Sequence, residues 1–126
     1  QGRPGPGGLD IDLSARHQRF KAAAPSGPAL TFADLIADKL GDDTKHGHGR
    51  EGHPGQRTRN EIGYHAVRVG DNPGEHTIVF GMLGERIEIN VAASSRDCYA
   101  AGSLAAAKWL IGKPAGMYDM FDVLDM

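Results

Sequence analysis

The residues best suited to chemistry lie in one segment, RHQRFKAAAPSGPA, which runs from Arg16 to Ala29. His17 can gain or lose a proton near neutral pH, and Lys21, four residues later, carries a positive charge with three hydrogen-bond donors. Ser26 and Gly27 form a turn that opens a helix, where free backbone N–H groups bind carboxylates. These residues predict a site that holds a small carboxylic acid and exchanges a proton with it.

A second group of titratable residues consists of His46, His48 and His53, which lie in a glycine-rich polar segment. A zinc site requires His, Cys or acidic ligands at regular spacings. These histidines have no acidic or Cys partner at a fixed offset. The sequence therefore predicts no metal site.

The elements that position the first group follow from hydrophobic periodicity. LDIDL, Leu9 to Leu13, alternates apolar and acidic residues as a half-buried strand does, and it leads to His17. A helix is predicted from Thr31 to Leu40, with Thr31 as its cap and Asp34 answering the cap. Gly41 ends that helix, and the polar, aperiodic residues 42–60 are predicted to form a long functional or mobile loop.

The second half of the chain predicts three strands and a helix. The strands run from Ile62 to Val69, His76 to Met82 and Arg86 to Ala92, with hairpin signals at Gly70–Gly74 and at Leu83-Gly84. Ser94 or Ser95 caps a helix that continues to Ile111, where Gly112 and Pro114 stop it. An apolar tail follows, from Tyr118 to Leu124.

These elements predict an α+β domain: a mixed, mostly antiparallel four-stranded sheet with helices on one face. The other face is left open for solvent or for another subunit. Residues 1–8, QGRPGPGG, are predicted to be a flexible leader before a single domain at 9–126. Without a preceding strand, this leader does not form the strand–G-x-G-x-x-G–helix unit of a dinucleotide site.

Composition excludes several partners. The net charge of −2 gives no electrostatic basis for binding nucleic acid or an anionic membrane. No apolar run has the length of a membrane helix. The single Cys98 excludes an internal disulfide and favours a cytoplasmic location.

Five segments carry a resemblance to one enzyme family: KAAAPSGPA, REGHPGQ, IGYHAVRVGDNPGEHT, GERIEINVAASSR and WLIGKPAGMYDMFDVL, in this order along the chain. Together they resemble the dihydrodipicolinate reductases of lysine and diaminopimelate biosynthesis. KAAAPSGPA is similar to that family's K-x-D-A-P-S-G-T-A signature, and His17 falls on the first His of its H-H-x-x-K motif. The resemblance covers Asp10 to Leu124 and is limited to the family's C-terminal substrate-binding and oligomerisation domain, without the nucleotide-binding half.

The resemblance implies roles for individual residues. His17 and Lys21 correspond to the proton-donating pair, and Lys21 also anchors substrate. Ser26 and Gly27 correspond to residues that hold a substrate carboxylate, and Arg96 to a further substrate contact. The family also implies a homotetramer, formed through the open sheet face.

The chain departs from the family pattern inside this predicted site. Gln18 stands at the second His, Ala23 at the Asp before APSG, and Pro28 at the Thr after PSG. Pro28 has no backbone N–H to donate, and Gln18 cannot carry a proton. The proton-donor pair is kept while the substrate-binding positions Gln18 and Pro28 differ, which favours an altered substrate over simple decay.

From these residues the sequence favours a small-molecule enzyme that performs non-redox acid–base chemistry on a carboxylated cyclic imine or a related amino acid. This interpretation includes no cofactor in the chain, since no segment predicts an NADPH site. One alternative is the substrate-binding half of the reductase itself, as a fragment or completed by a separate nucleotide-binding partner. Another is a non-catalytic ligand-binding or oligomerisation module.

Overall fold

A five-stranded sheet carries three of the residues singled out above, His17, His46 and His48. The computed structural model describes residues 9–41 and 43–126, so the leader predicted at 1–8 lies outside the described residues. The strands are β1 Asp10–His17, β2 Lys45–His48, β3 Glu61–Arg68, β4 Glu75–Gly81 and β5 Arg86–Ala92. Their order in the sheet is β2-β3-β1-β4-β5. β1 pairs parallel with β3 and antiparallel with β4, which confirms a mixed sheet with one strand more than predicted.

Strand β1 is longer than its sequence pattern indicated. The predicted strand ended at Leu13, whereas β1 continues to His17. Alternate residues remain buried along this extension, at Ala15 and His17, but a small residue and a histidine give a weak apolar signal. The extension makes His17 a buried strand residue.

Helix α1, Gly27–Leu40, begins four residues before the predicted start at Thr31. Ser26 is its cap, because the Ser26 side chain accepts a hydrogen bond from the Ala29 N–H. Pro28 fits the first turn, where its missing N–H has no helical partner to lose. Gly41 ends the helix as predicted, with a φ of 114° that favours glycine.

Helix α1 packs on one face of the sheet. The core contains the fully buried Ala33 of α1, and the partly buried Phe32 and Ile36 pack against it. The sheet side of the core consists of Ile11, Leu13, Ile62, Tyr64 and Ile78. This arrangement confirms the α+β class and anchors the N-terminus of α1 against β1 and its neighbouring strands.

The connection between β3 and β4 is not the hairpin that the turn at Gly70–Gly74 predicted. β1 lies between these two strands, so the connection crosses the end of β1. Its backbone bonds include Val69 N–H to the His17 carbonyl, 3.1 Å, and Arg19 N–H to the Gly70 carbonyl, 3.0 Å. Turn residues predict a reversal of the chain but not which strand will lie between its arms. The second predicted hairpin, β4 to β5, is confirmed.

The segment predicted as the loop 42–60 contains β2. Lys45–His48 pairs parallel with β3, so the absence of regular structure predicted there is wrong for these residues. The sequence KHGH has no apolar alternation, and its strand conformation comes from edge pairing with β3.

The apolar residues of β5 lie on the same side of the sheet as the core. Ile89 pairs with Ile78, and Ile87 pairs with Phe80, and directly paired residues share a face. The alternation along Arg86–Ala92 therefore gives no apolar character to the open face. Use of that face for oligomerisation stays a prediction that rests on the family resemblance.

Residues from Ser94 to Met126 form a second compact unit. It contains α2, Asp97–Leu110, and a short α3, Met120–Leu124, within the predicted apolar tail. The predicted caps lie just before α2, where the Ser95 hydroxyl accepts a hydrogen bond from the Asp97 N–H. None of the helices within the described residues combines the length and apolar character needed to cross a bilayer.

Candidate functional site

His17 lies at the end of β1, where the chain leaves the sheet. Only 7% of its surface is exposed, and its Nδ1 atom is buried without a hydrogen-bond partner among the described residues. Burial lowers the pKa of His17, and nearby His76, Lys21 and Arg68 lower it further by charge repulsion. The site therefore holds an imidazole that is neutral near pH 7 and becomes easier to protonate when an anion binds beside it.

His76 is the site residue that sequence reasoning missed. It lies on β4 opposite Ala15, which makes it a diagonal neighbour of His17 on the same face of the sheet. The two rings meet edge to face with centroids 5.0 Å apart. His76 alternates with Ile78 and Phe80 along β4 and therefore lies on the same face of the strand. This alternation could have indicated from the sequence that His76 is buried.

A buried hydrogen bond joins His76 to the start of α1. Its Nε2 atom lies 2.8 Å from Oγ of Ser26, which is fully buried. The same oxygen accepts the Ala29 N–H at 3.3 Å. Burial lowers the pKa of His76, with a smaller contribution from Lys21. The Ser26 hydroxyl therefore serves the helix cap and His76, whereas its predicted role toward a substrate carboxylate stays a prediction.

Lys21 lies in the loop that follows β1, close enough for its ammonium to disfavour the charged forms of both His17 and His76. The loop is held by Arg68, at the end of β3. Its guanidinium donates to the carbonyl of Lys21 at 3.2 Å and to that of Ala23 at 2.6 Å. Sequence reasoning did not single out Arg68. Its register position opposite His17 explains its part in the site.

Gln18 occupies the position next to His17 and is engaged within its own turn. Its side-chain oxygen accepts the Phe20 N–H at 2.6 Å. This contact tightens the turn that precedes Lys21. A substrate contact by Gln18 stays a prediction.

The first turn of α1 has a reduced set of N–H donors. Pro28 has none, and Ala29 N–H bonds to Ser26. Leu30 N–H bonds to the Ser26 carbonyl at 3.0 Å. Among the described residues, Gly27 is left as the first-turn N–H that can bind an anion. As the sequence predicted, the first turn of α1 lacks one backbone N–H donor because it contains Pro28.

Arg96 lies in the second unit, at the residue before α2, and it is exposed. The predicted substrate contact of Arg96 stays a prediction.

Two of the three loop histidines contact Tyr64. His46 Nδ1 lies 2.6 Å from the Tyr64 hydroxyl, and the His48 ring stacks on Tyr64 with centroids 4.8 Å apart. Within residues 9–41 and 43–126, no three His, Cys, Asp or Glu side chains form a group that could hold a metal ion.

A cavity of about 390 Å³ lies between this tyrosine and the start of α1. It has an apolar floor that includes Leu13, Ala15 and Ala66, and polar walls that include His48 and Arg50. Neither His17 nor Lys21 lines it. The cavity borders the predicted site through Ala24, Pro25 and Ala29 at the start of α1.

An ion-pair network ties the segment after β2 to the sheet. Arg50 bonds to Asp12 at 2.8 Å and to Glu61 at 2.8 Å. Arg57 and His65 also lie within 3.1 Å of the Asp12 carboxylate. Burial opposes ionisation of Asp12, but these cationic and hydrogen-bonding partners outweigh it and lower its pKa to about 2. These ion pairs hold the segment that contains Arg50 and Arg57 against strands β1 and β3.

The chain is similar in sequence to the C-terminal part of known reductases. The sequence profile described as "Dihydrodipicolinate reductase, C-terminus" matches residues 5–124. Among curated proteins, the 4-hydroxy-tetrahydrodipicolinate reductase of Rhodopirellula baltica is 72% identical over 122 residues, which cover 95% of this chain and 44% of the relative. That of Cupriavidus necator is 50% identical over 121 residues, which cover 94% of this chain and 46% of the relative. The chain thus spans less than half the length of these relatives.

A solved structure supports the fold. The dihydrodipicolinate reductase from Paenisporosarcina sp. TG-14, described as bound to dipicolinate, matches with a TM-score of 0.59 and 23% identity. The match covers 75% of this chain and 37% of that chain.

Proposed function

Because this chain belongs to the family of dihydrodipicolinate reductase C-terminal domains, we propose that it is the substrate-binding part of a 4-hydroxy-tetrahydrodipicolinate reductase. The names of the curated relatives support this alternative over the non-redox acid–base enzyme that the sequence favoured. The proposal therefore replaces dehydration or isomerisation with reduction, in lysine and diaminopimelate biosynthesis. The matched region is the C-terminal part of the reductase, so the nicotinamide nucleotide belongs to a separate nucleotide-binding domain.

The observation that carries the proposal is the grouping of His17, Lys21 and the start of α1 at one end of β1. Reduction of an imine or conjugated double bond adds one hydride and one proton. A nicotinamide nucleotide supplies the hydride when the nucleotide-binding domain is present. His17 supplies the proton, and a nearby carboxylate offsets the burial and the positive neighbours that keep its ring neutral.

Lys21 and the Gly27 N–H bind the carboxylates of the substrate. An ammonium–carboxylate hydrogen bond contributes roughly 1.5–3 kcal/mol when well formed, and the helix start adds about 0.3–1 kcal/mol for an anion. Arg96 is proposed as a third contact. Since Pro28 removes one backbone donor, Lys21 carries a larger share of the binding energy.

A binding measurement tests this site directly. Dipicolinate, the ligand named for the Paenisporosarcina protein, is titrated into the chain by calorimetry at pH 7. Lys21→Ala is expected to raise the dissociation constant at least about 10-fold, since it removes a charge-assisted bond. Lys39→Ala, in the last turn of α1, serves as the matched control and is expected to leave binding unchanged. Equal effects of the two substitutions would reject the assignment of Lys21.

Homo-oligomerisation, with a tetramer as the expected state, is proposed for the open sheet face. This face is polar and carries the ordered network around Asp12 and Arg50, and the family resemblance supports its use between subunits. Light scattering at micromolar concentration is expected to give a mass of four chains. A monomer mass would refute this part of the proposal.

A cytoplasmic location is proposed from the free, exposed Cys98, because reducing compartments keep thiols unpaired.

A further inference from the structure

We propose that His76 is a positioning residue for His17: the Ser26 hydroxyl fixes the His76 ring, and that ring packs edge to face on His17 and holds the proton donor in one orientation. This inference rests on the proposed function, because it gives His17 the role of donor. It adds a residue from a different strand, and it predicts that the helix cap and the proton donor respond together to substitution.

The hydrogen bonds of Ser26 favour one tautomer of His76. The Ser26 oxygen accepts the Ala29 N–H, so its own proton is free to be donated. Within the described residues, the Nε2 atom of His76, 2.8 Å away, is the partner that can accept it. A fully buried hydroxyl without an acceptor is costly. The arrangement therefore favours a neutral His76 that accepts at Nε2 and carries its proton on Nδ1.

A charged His76 would break this arrangement. Its Nε2–H would have to donate to Ser26, and the Ser26 proton would lose its acceptor. Burial and the nearby Lys21 both oppose that charge. His76 is consequently suited to holding a ring in place, and unsuited to donating a proton itself.

The contact with His17 explains why positioning is needed. Nδ1 of His17 has no hydrogen-bond partner in the described part of the chain, so no polar contact there fixes the rotation of this ring. Packing must do so instead. The His76 ring lies against His17 with an interplanar angle of 75°, and Phe32 packs against His76 at 6.3 Å between centroids. The cationic groups that act on His17 are those of Lys21 and Arg68.

The first experiment is nitrogen-15 NMR of the imidazole rings in the chain itself. The neutral form of His76 is expected to be the Nδ1–H tautomer, with its proton on Nδ1 and Nε2 unprotonated. His76→Ala is expected to raise the pKa of His17 toward its ordinary value, since it exposes the His17 ring to water and relieves the burial that lowers this pKa. His76→Phe keeps an aromatic ring and is expected to produce a smaller rise. His53→Ala, at an exposed histidine, is the control and should change neither ring.

The second experiment measures turnover in a fusion of this chain to the part of the Rhodopirellula baltica reductase that it does not cover. His76→Ala is expected to lower kcat by about 10–100-fold, as a misplaced catalytic group does, and to change KM less than about threefold. In the His17→Ala background, His76→Ala is expected to lower kcat no further, because it acts through His17.

The outcomes separate this inference from the proposed function. If the parent fusion reduces no substrate, the proposed function fails while the NMR result still decides the role of His76. An Nε2–H tautomer, or a His17 resonance and pKa that His76→Ala leaves unchanged, overturns the positioning role. An equal loss of kcat with and without His17 overturns it as well. If His76→Ala does not fold, His76→Gln supplies the same comparison, because it removes the ring and keeps a side-chain oxygen that can accept the Ser26 hydroxyl proton.

Discussion

Nε2 of His76 and Oγ of Ser26 lie 2.8 Å apart in a buried position, so a residue of β4 completes the cap of α1. The two residues are separated by 50 positions in the chain. One hydrogen bond thus links the helix start, which presents the Gly27 N–H, to the strand face that packs on His17. Folding of the sheet and formation of the proposed carboxylate site are therefore expected to be coupled.

Ser26→Ala is expected to destabilise the chain by roughly 1–3 kcal/mol, because it removes the N-cap of α1 and leaves His76 without its partner. Urea denaturation followed by circular dichroism measures the change. Ser103→Ala, which removes an exposed hydroxyl bond within α2, is the control and should cost less than about 0.5 kcal/mol. Equal costs would mean that the Ser26–His76 bond adds nothing to stability.

Two glycine substitutions are expected to have opposite effects. A Cβ on Gly63 would lie 2.7 Å from Cγ of Asp12 and 3.1 Å from Nη2 of Arg50. Gly63→Ala must therefore displace the Asp12–Arg50 ion pair, with an expected loss of about 1–3 kcal/mol. A Cβ on Gly102, in α2, meets no atom within 4 Å. Gly102→Ala should stabilise the chain by about 0.5–1 kcal/mol, since alanine favours helix. Thermal or urea denaturation of both variants checks the sign of each change. If Gly63→Ala stabilised the chain, the Asp12–Arg50 ion pair would not be held in close contact with Gly63.

The free energy of unfolding is expected to fall as the solution is acidified below about pH 6.5. Folding lowers the pKa values of His17 and His76, so the unfolded chain binds more protons in this range. The stabilisation is present above the unfolded pKa and is lost as pH falls through the folded values. Urea denaturation between pH 5 and 7.5 measures the slope, and His17→Gln should reduce it. A flat dependence would contradict the burial of neutral histidines. Asp12, whose pKa is about 2, adds a second loss only at lower pH.

Binding of a dicarboxylate is expected to be accompanied by proton uptake near pH 7. The dianion raises the pKa of His17, which burial and its neighbours lower in the free chain. Calorimetry in two buffers of different ionisation enthalpy measures the number of protons, and affinity should rise as pH falls. His17→Ala should remove most of the uptake. An uptake that persists in this variant would mean that another group receives the proton.

That β1 leads to His17 could be predicted from the sequence, because alternation from Leu9 to Leu13 set the phase of the strand. The predicted strand ended at Leu13, so the burial of His17 within β1 could not be predicted. The prediction of Thr31 as the helix cap was wrong, whereas the Ser26–Gly27 turn, which the sequence also predicted to open a helix, is the start of α1. A Ser-Gly-Pro sequence is compatible with a turn as well as with a cap, and contact between Ser26 and His76 decided between them.

The arrangement around His17 depended on a pairing that local patterns do not contain. The turn at Gly70–Gly74 predicted adjacent strands, yet β1 lies between β3 and β4. Only this order brings Arg68 from one side and His76 from the other to the end of β1. The pairing of distant strands decides such contacts, and a single sequence carries no direct record of it.

The most direct test of the central claim is substrate-dependent oxidation of NADPH by the fusion of this chain to the remaining part of the Rhodopirellula baltica reductase. The account predicts turnover in the parent fusion and a loss of about 10²–10⁴-fold in kcat for His17→Ala, with dipicolinate binding largely retained. A folded fusion that binds NADPH but neither reduces the substrate nor binds dipicolinate would contradict it.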